Sequence, residues 1–319
     1  MSIGASAGAA VKADGYGLGA DFVVPALAEA GAKDFFVAHW SEVAALLEHI
    51  APAQISVLHG PLTAEDAAYA RATGVRPVIN SLIQAQLWLD AGGGPCDVMV
   101  DTGINRLGLP IADIGEEIVS RLEIDILMSH LASADEDSPL NDMQLVRFGQ
   151  VCAALPAKRH SLANSAGIAL GRDFAFDLTR PGLSLYGGVP RAELAPELRQ
   201  VAHVEAATLQ VRYLEPGEGV GYNSLFVADR PMRVATVSLG YADGILRGWA
   251  ANGWFEHQGR HLRMLGKVSM DMIAVDVTDA LELSEGDWLT LPYSLPEASG
   301  ISGLSQYELL TVLGSRFSR

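Results

Sequence analysis

Short apolar runs alternate with longer, helix-compatible segments through the first 190 or so residues. The apolar runs are AAVK (9–12), FFVAHW (35–40), ISVLHG (55–60), RPVINS (76–81), DVMVD (97–101), IDILMSH (124–130), HSLANS (160–165) and LSLYGG (183–188). Segments 22–30, 41–50, 82–91 and 141–155 fit helices, and Gly31, Gly74 and Gly92 stand where helices should stop. Repeated strand and helix units predict a parallel sheet, and eight units predict a closed (β/α)8 TIM-type barrel. A doubly wound sheet is the alternative.

The pattern changes after the segment AELAPELRQV (192–201), which also looks helical. The runs VEAATLQVRYL, PMRVATVSLGYA, HLRMLGKVSMDMIAVDVT and DWLTLPY alternate in polarity and are rich in β-branched residues. Turn signals separate them at Pro216-Gly217, Asn252-Gly253 and Gly286-Asp287. We therefore predict an α/β barrel domain over residues 1–195 and a mostly β domain over residues 196–319.

Composition narrows the function classes. No apolar run approaches the roughly 20 residues of a membrane helix, and the net charge of −16 disfavours a general binder of nucleic acid or of anionic membranes. The opening MSIGASAGAA lacks the basic flank and long apolar core of a secretory signal. Cys96 and Cys152 form no CxxC pattern, which argues against a disulfide scaffold or a cysteine-built zinc site. A cytoplasmic protein without a metal site is predicted.

Candidate chemistry begins in the stretch AAVKADGYGLGA, residues 9–20. Lys12 directly follows an apolar run and precedes a loop that contains Gly15, Gly17, Gly19 and Tyr16. Because an ammonium group is costly to bury, a lysine at the end of a buried strand is biased toward its neutral, nucleophilic form. Such a lysine is suited to forming an imine with a carbonyl compound, although many strand-end lysines simply reach out to water.

Eight ordered motifs resemble those of one enzyme family. VKADGYGLGA, VDTGINRLGL, HLASADE, LANSAG, TRPGLSLYGG, GYN, LGYADG and GKVSMDMIAVDVT occur here in the order and spacing of bacterial alanine racemase, from about residue 9 to the C-terminus. The resemblance implies a homodimer of barrel plus β domain, with active sites shared between subunits. It also implies the cofactor pyridoxal 5'-phosphate (PLP), an amino-acid substrate, interconversion of L-alanine and D-alanine, and D-alanine supply for peptidoglycan.

The resemblance assigns roles to particular residues. Lys12 is similar to the lysine that carries PLP and acts as one base at Cα, and Tyr222 in GVGYN to the opposing base contributed by the partner subunit. His130 resembles the residue that assists this tyrosine and lies near the cofactor ring. Arg180 resembles the arginine that donates to the pyridine nitrogen. A core histidine and an ion-paired surface arginine are the ordinary structural alternatives for these two positions.

Binding roles follow from the same resemblance. The phosphate is expected to contact Tyr16, Ser165, Gly182, the backbone of Leu183, and Tyr307. Arg106 is expected to donate to the cofactor's phenolic oxygen or to the substrate. Tyr241 and the backbone of Met270 resemble the partner-chain groups near the substrate carboxylate.

Three positions depart from the family pattern. Met99 stands where many members have a carbamylated lysine that orients the arginine seven residues later, so Arg106 needs another partner or is held less firmly. Ser161 aligns with a histidine that often supports the pyridine-contacting arginine, and His160 lies one place earlier; neither is assigned that role here. The lysine strand starts about 30 residues earlier than usual, which predicts a closed barrel with an uncovered groove and lower stability than an upstream-extended chain.

Three functions therefore stay open at the level of sequence. The first is alanine racemase, and the second is a racemase of serine or of a broader set of amino acids. The third is a PLP-binding homologue with little racemase activity, motivated by Met99 and the short N-terminus.

Overall fold

The computed structural model describes residues 4–318, which form two compact units. The first unit runs to Leu185 and includes Pro190–Leu198, whereas the second contains Tyr186–Val189 and the chain from Arg199 onward. Within the described residues, no helix is long and apolar enough to cross a bilayer.

Eight short parallel strands build the first unit. They are Ser6–Ala7 continued by Ala9–Ala10, then Phe35–Val37, Ile55–Val57, Arg76–Ile79, Pro95–Asp101, Glu123–Met128, Arg159–Ser161 and Leu178–Thr179. Seven of them coincide with the first seven predicted apolar runs. Consecutive strands from Ala9–Ala10 to Arg159–Ser161 pair in parallel, as strand and helix repeats require.

Backbone hydrogen bonds close these strands into a barrel. Ser6, Gly8 and Ala10 donate to the carbonyls of residues 177, 179 and 181, while Ala9 and Val11 donate to the neighbour on the other side. The eighth strand reaches the seventh because Arg180 N–H donates to the Ala163 carbonyl at 2.8 Å. The predicted barrel, followed by a β-rich part, is confirmed, and the doubly wound alternative is wrong.

The position of the eighth strand differs from the prediction. The run LSLYGG forms a 3-10 helix over Leu183–Tyr186, and the last strand is Leu178–Thr179 instead. The pattern misled because this run is buried like a strand, while Pro181 and Gly182 turn the chain just before it. The predicted helix over residues 192–201 is likewise a short 3-10 helix, Ala192–Glu197.

Helices cover the outside of the barrel. They span Ala20–Glu29, Val43–Leu47, Ala64–Thr73, Leu82–Asp90, Glu117–Ser120, Pro139–Ala154 and Arg172–Ala175. Short 3-10 helices occupy Trp40–Glu42, Pro52–Gln54, Ile111–Asp113 and Gly167–Leu170, and a further strand, Leu109–Pro110, pairs with the fifth barrel strand. Thr63, Ser81 and Ser138 cap three helix starts through their hydroxyls, which leaves fewer backbone N–H groups unpaired.

Two clusters of side chains fill the interior of the barrel, one charged and one apolar. Arg76 contacts Asp34, Asp97 and Asp125, and Arg159 also binds Asp34 and Asp125, so that each carboxyl group has at least one guanidinium partner. The apolar cluster contains Phe36, Val78, Met99, Ile126, Met128 and Leu178. Along the strands, the apolar residues lie between the charged cluster and the carboxyl ends. The interior is therefore a packed core, and only the carboxyl end is left for chemistry.

The second unit is a closed six-stranded antiparallel barrel. Its strands, in order around the barrel, are Val204–Leu214, Met232–Val237, Ile273–Asp276, Arg260–Leu265, Trp254–His257 and Trp288–Leu291. A small hairpin pairs Gly219–Val220 with Phe226–Val227. Three 3-10 helices, Tyr222–Ser224, Tyr241–Asp243 and Arg247–Ala251, and the helices Leu295–Ser302 and Gln306–Thr311 complete this unit.

Candidate active site

Lys12 is followed by a left-handed backbone turn. The five residues from Ala13 to Gly17 all have positive φ, from 54° to 80°, so the turn is wound left-handed. For non-glycine residues this conformation costs roughly 1 kcal/mol each. Three of the five, Ala13, Asp14 and Tyr16, are not glycine. The strain must therefore be offset by contacts, and strained backbone of this kind is concentrated at functional sites.

Contacts at both ends stabilise this turn. Gly15 N–H donates to the Val11 carbonyl at 2.9 Å, and Asp14 accepts from the N–H of Ala20 at 2.7 Å, at the start of the next helix. Glu42 accepts from the N–H of Ala13 at 2.5 Å. The residue beside Lys12 is thus attached to the loop that follows the second barrel strand.

The surroundings of Lys12 favour its neutral amine. Burial lowers the pKa of Lys12, the positive charge of Arg106 lowers it further, and the negative charge of Glu42 opposes both. Its amine is thereby more available as a nucleophile or base than that of an exposed lysine.

Arg180 is the most buried cation near this end of the barrel. Its guanidinium donates to Ser161 Oγ and to the Ser129 carbonyl, both at 2.5 Å. Burial lowers the pKa of Arg180 to about 10, so it remains charged at neutral pH. An arginine held in this way presents a fixed positive donor.

Ser161, and not His160, supports Arg180. The Ser161 hydroxyl also donates to the Leu178 carbonyl at 2.5 Å, which fixes its orientation, whereas His160 contacts Asp177. Ser161 is on the seventh strand and its side chain points to the barrel interior; its neighbour faces away, as the alternation of a strand requires. The sequence by itself does not assign this role.

We expect the Ser161→Ala variant to lose about 1–3 kcal/mol of unfolding free energy, because the buried guanidinium of Arg180 loses an acceptor. Urea unfolding measures this loss. Ser120→Ala is the matched control, since the exposed Ser120 hydroxyl also donates to a backbone carbonyl, that of Glu117, but has no charged partner. Equal losses in the two variants would mean that Ser161 does not hold Arg180.

His130 lies two residues after the end of the sixth strand and is kept neutral. Burial lowers its pKa to about 3, and the positive charges of Arg180, Arg106 and Lys12 act in the same direction. Gln144 fixes the backbone here, because its amide donates to the His130 carbonyl at 2.9 Å and accepts from Ala132 N–H at 2.8 Å. A neutral imidazole at a fixed position is able to accept a hydrogen bond from a hydroxyl group.

A small polar pocket lies where the seventh and eighth strands end. Ser165 Oγ accepts from the N–H groups of Gly182 and Ser184, at 2.9 and 3.2 Å, so its own proton is left to donate elsewhere. The buried Ser184 hydroxyl has no hydrogen-bond partner within residues 4–318. The Tyr16 hydroxyl lies so close to Gly182 that any side chain there would clash with it. Three hydroxyls beside a backbone without a side chain form a site suited to an anion.

Arg106 and Met99 occupy separate surroundings. Met99 is buried among the apolar side chains of the barrel interior. Arg106 is on the exposed loop after the fifth strand; Asp101 accepts from its backbone N–H at 3.1 Å. In the described part of the chain its guanidinium has neither a hydrogen bond nor an ion pair, so no described residue takes the place of the orienting lysine that Met99 replaces.

The other predicted site residues, Tyr222, Tyr241, Met270 and Tyr307, belong to the second unit. Tyr241 N–H donates to the Ser269 carbonyl and Ala242 N–H to the Met270 carbonyl, both at 3.0 Å, which brings Tyr241 and Met270 together. Arg247 lies 5.7 Å from the centre of the Tyr241 ring. Tyr222 is 72% exposed on its 3-10 helix, and Tyr307 is on the helix Gln306–Thr311. Their predicted roles as opposing base, substrate contacts and phosphate contact stay predictions.

Comparison with known proteins gives the family. A model of the alanine racemase N-terminal domain matches residues 1–190, and a model of the alanine racemase C-terminal domain matches residues 201–319. This chain belongs to the alanine racemase family. It is 40% identical to the alanine racemase of Acidiphilium cryptum over 97% of this chain and 90% of that protein. It is 38% identical to that of Brucella abortus over 98% and 86% of the two chains.

Solved alanine racemase structures share the fold. The Bartonella henselae enzyme, described with covalently bound pyridoxal phosphate, has a TM-score of 0.91 and 37% identity, and covers 100% of this chain and 93% of its own. The biosynthetic enzyme of Pseudomonas aeruginosa has a TM-score of 0.87 and 34% identity, with 99% and 92% covered.

The structure also adds three residues that sequence reasoning did not assign. Glu42 holds the turn after Lys12, Ser184 joins the polar pocket, and Gln144 fixes the loop that carries His130. The only sequence signal among them is for Ser184, which falls inside the alanine racemase motif TRPGLSLYGG. The other two act on backbone groups from distant elements, and no local pattern reveals such contacts.

Proposed function

We propose that this protein is an alanine racemase that interconverts L-alanine and D-alanine with PLP bound to Lys12. The observation that carries this proposal is a half-buried lysine of lowered pKa at the carboxyl end of a family barrel, where Lys12 and the buried cation Arg180 both act on His130. PLP supplies the electron sink that stabilises negative charge at the substrate's Cα.

The residues present fit this cofactor. PLP carries a phosphate, and the pocket of Tyr16, Ser165, Gly182 and Ser184 has donor hydroxyls and a buried, unpartnered oxygen. We assign the phosphate to this pocket together with the backbone of Leu183. Tyr307 is proposed as a further contact on the strength of the family resemblance.

Arg180 determines what kind of chemistry the site favours. A guanidinium only donates hydrogen bonds, so Arg180 would keep a cofactor ring nitrogen that it contacted unprotonated. In that form the cofactor would withdraw electrons less strongly, which would disfavour transamination and favour return of the proton to Cα. Ser161 and the Ser129 carbonyl keep this donor in place.

Inversion at Cα needs two groups on opposite faces. A single base tends to return the proton to the face that it came from, so we propose Lys12 for one face and Tyr222 for the other. A phenol near its ordinary pKa of about 10 is a weak base at neutral pH. We propose that the neutral imidazole of His130 accepts from the Tyr222 hydroxyl and makes it a better base, and that Arg106 contacts the substrate or cofactor oxygen.

We also propose that the protein is a homodimer and that Tyr222, Tyr241 and Met270 complete the partner's site. The exposed Tyr222, Leu225 and Met270 of the second unit are consistent with a surface that a second copy covers. Symmetric exchange would then give each site one lysine and the partner's tyrosine.

Mixed dimers test this arrangement. Lys12→Ala and Tyr222→Phe chains, inactive alone, should regain about a quarter of wild-type activity when refolded together, because half the dimers are mixed and each has one intact site. Refolding each variant with itself is the control. If each site used a single chain, the mixed dimers would stay inactive.

Peptide mapping tests the site itself. After PLP is added and its bond to the protein is reduced with borohydride, mass spectrometry should place the cofactor on Lys12. Placement on Lys33, Lys158 or Lys267 would refute the assignment.

The physiological role follows from the chemistry. We propose D-alanine supply for peptidoglycan in the cytoplasm, where Cys96 and Cys152, both unpaired here, would stay reduced.

A further inference from the structure

Glu42 makes more contacts to the backbone around Lys12 than any local motif predicts. One carboxylate oxygen accepts from Ala13 N–H at 2.5 Å; the other accepts from the N–H groups of Ala38 and His39, at 2.8 and 2.9 Å. Ala13 follows Lys12, shortly after the first strand ends at Ala10, and Ala38 follows the second strand directly. One side chain thus joins the ends of two neighbouring barrel strands.

We propose that Glu42 is a positioning residue for Lys12, because its hydrogen bonds hold the strained left-handed turn after the lysine in place. This inference rests on the proposed role of Lys12 as the cofactor lysine. Ala13 is the first residue of positive φ in this turn. A hydrogen bond to its N–H therefore acts directly on the backbone next to Lys12.

The electrostatics support this geometry. The groups that act on Lys12 are the buried surroundings and Arg106, which lower its pKa, and Glu42, which raises it. His59, which follows the third strand, and His130 each have a pKa lowered in part by Lys12, so both lie near the amine as well. The His59 ring is 4.2 Å from that of His39, to whose N–H Glu42 is bound. Among these groups Glu42 is the one anion, and it opposes the lowering of the Lys12 pKa.

The chain offers a matched control for the capping part of this role. Glu42 closes a capping box on the 3-10 helix Trp40–Glu42, and Asp66 closes one on the helix Ala64–Thr73 by accepting from Leu62 and Thr63 N–H. Asp66 has no contact with the Lys12 turn. A loss confined to the Glu42 variant is therefore specific to the turn and not to capping.

Two measurements on the full chain before PLP is added test the proposal in Glu42→Gln and Asp66→Asn. Hydrogen exchange at the Ala13 amide should become about tenfold faster in Glu42→Gln, since a hydrogen bond to a charged group has about that weight. Acylation of Lys12 by acetic anhydride across a pH series, followed by mass spectrometry, should show a lower lysine pKa in the same variant. Asp66→Asn should match the wild type in both.

Glu42→Asp is a second variant in case Glu42→Gln does not fold. It keeps the negative charge but has a side chain that is shorter by one methylene group. Its Ala13 amide should lose protection while its Lys12 pKa falls less than in Glu42→Gln. Unchanged exchange at Ala13 together with an unchanged Lys12 pKa would overturn the proposal. Both readouts are made without PLP, so they stand even if peptide mapping finds the cofactor on another lysine.

Discussion

Replacement of Lys12 by alanine is expected to lower alanine racemisation by about 10⁴-fold or more, at the upper end of what one general base contributes. The variant loses both the covalent attachment of PLP and the amine that takes and returns a proton on one face. The visible absorbance of lysine-bound PLP should disappear with the activity. Polarimetry and absorbance spectra of the purified variant measure the two effects.

The control for this variant is Lys33→Ala, since Lys33 is exposed and lies before the second barrel strand. It should keep the wild-type spectrum and rate. If Lys12→Ala still racemised alanine at the wild-type rate, Lys12 would have no role in the mechanism. Restoration of activity in the variant by added methylamine would support the role of the amine as a base.

Replacement of Tyr222 by phenylalanine is expected to lower racemisation by about 10²- to 10⁴-fold, because the phenol hydroxyl carries the proton on the second face. The loss should be asymmetric in deuterated water. One enantiomer of alanine should still exchange its α-hydrogen through Lys12 without inversion, and the other should exchange far more slowly. Proton NMR of the α-position follows both reactions.

Tyr213→Phe is the comparison for Tyr222→Phe, since Tyr213 belongs to the same unit and is 80% exposed. It should exchange and invert both enantiomers as the wild type does. Full bidirectional activity in Tyr222→Phe would refute the assignment of two bases.

The barrel was predictable because short apolar runs mark the strands and longer, helix-compatible segments lie between them. The first seven strands lie where the pattern placed them, since burial on both faces leaves a continuous apolar signal in parallel strands. The eighth was misplaced for the same reason. LSLYGG is equally apolar, but it packs as a 3-10 helix, and periodicity over so few residues does not separate the two structures.

The predicted site was less complete than the fold. The pattern placed Lys12, His130 and Ser165 at the ends of predicted strands, and the structure has them shortly after the first, sixth and seventh strands. Arg180 was expected before the last strand and follows it instead, because that strand is Leu178–Thr179. The left-handed turn was not predictable from composition, because Ala13 and Tyr16 ordinarily avoid positive φ and only tertiary contacts stabilise it there. The same holds for Ser161, whose contact with Arg180 joins two strands and depends on which face each side chain takes.

The charges that act on Lys12 could not be predicted from the sequence either. Sequence predicted a lysine made costly by burial, and the structure adds Arg106 acting in the same direction and Glu42 acting against it. The pKa of the amine therefore depends first on its burial and then on two charged residues from loops that follow other strands. Distances between such loops are set by the closed barrel and not by any motif.

Optical rotation of alanine in the presence of the purified chain and PLP tests the central claim most directly. Since the two enantiomers have equal free energies, we predict that solutions of L-alanine and of D-alanine both decay to zero rotation, with L-serine decaying more slowly. Unchanged rotation of alanine, in a protein whose spectrum shows PLP bound to Lys12, would contradict the account and leave a PLP-binding homologue without racemase activity.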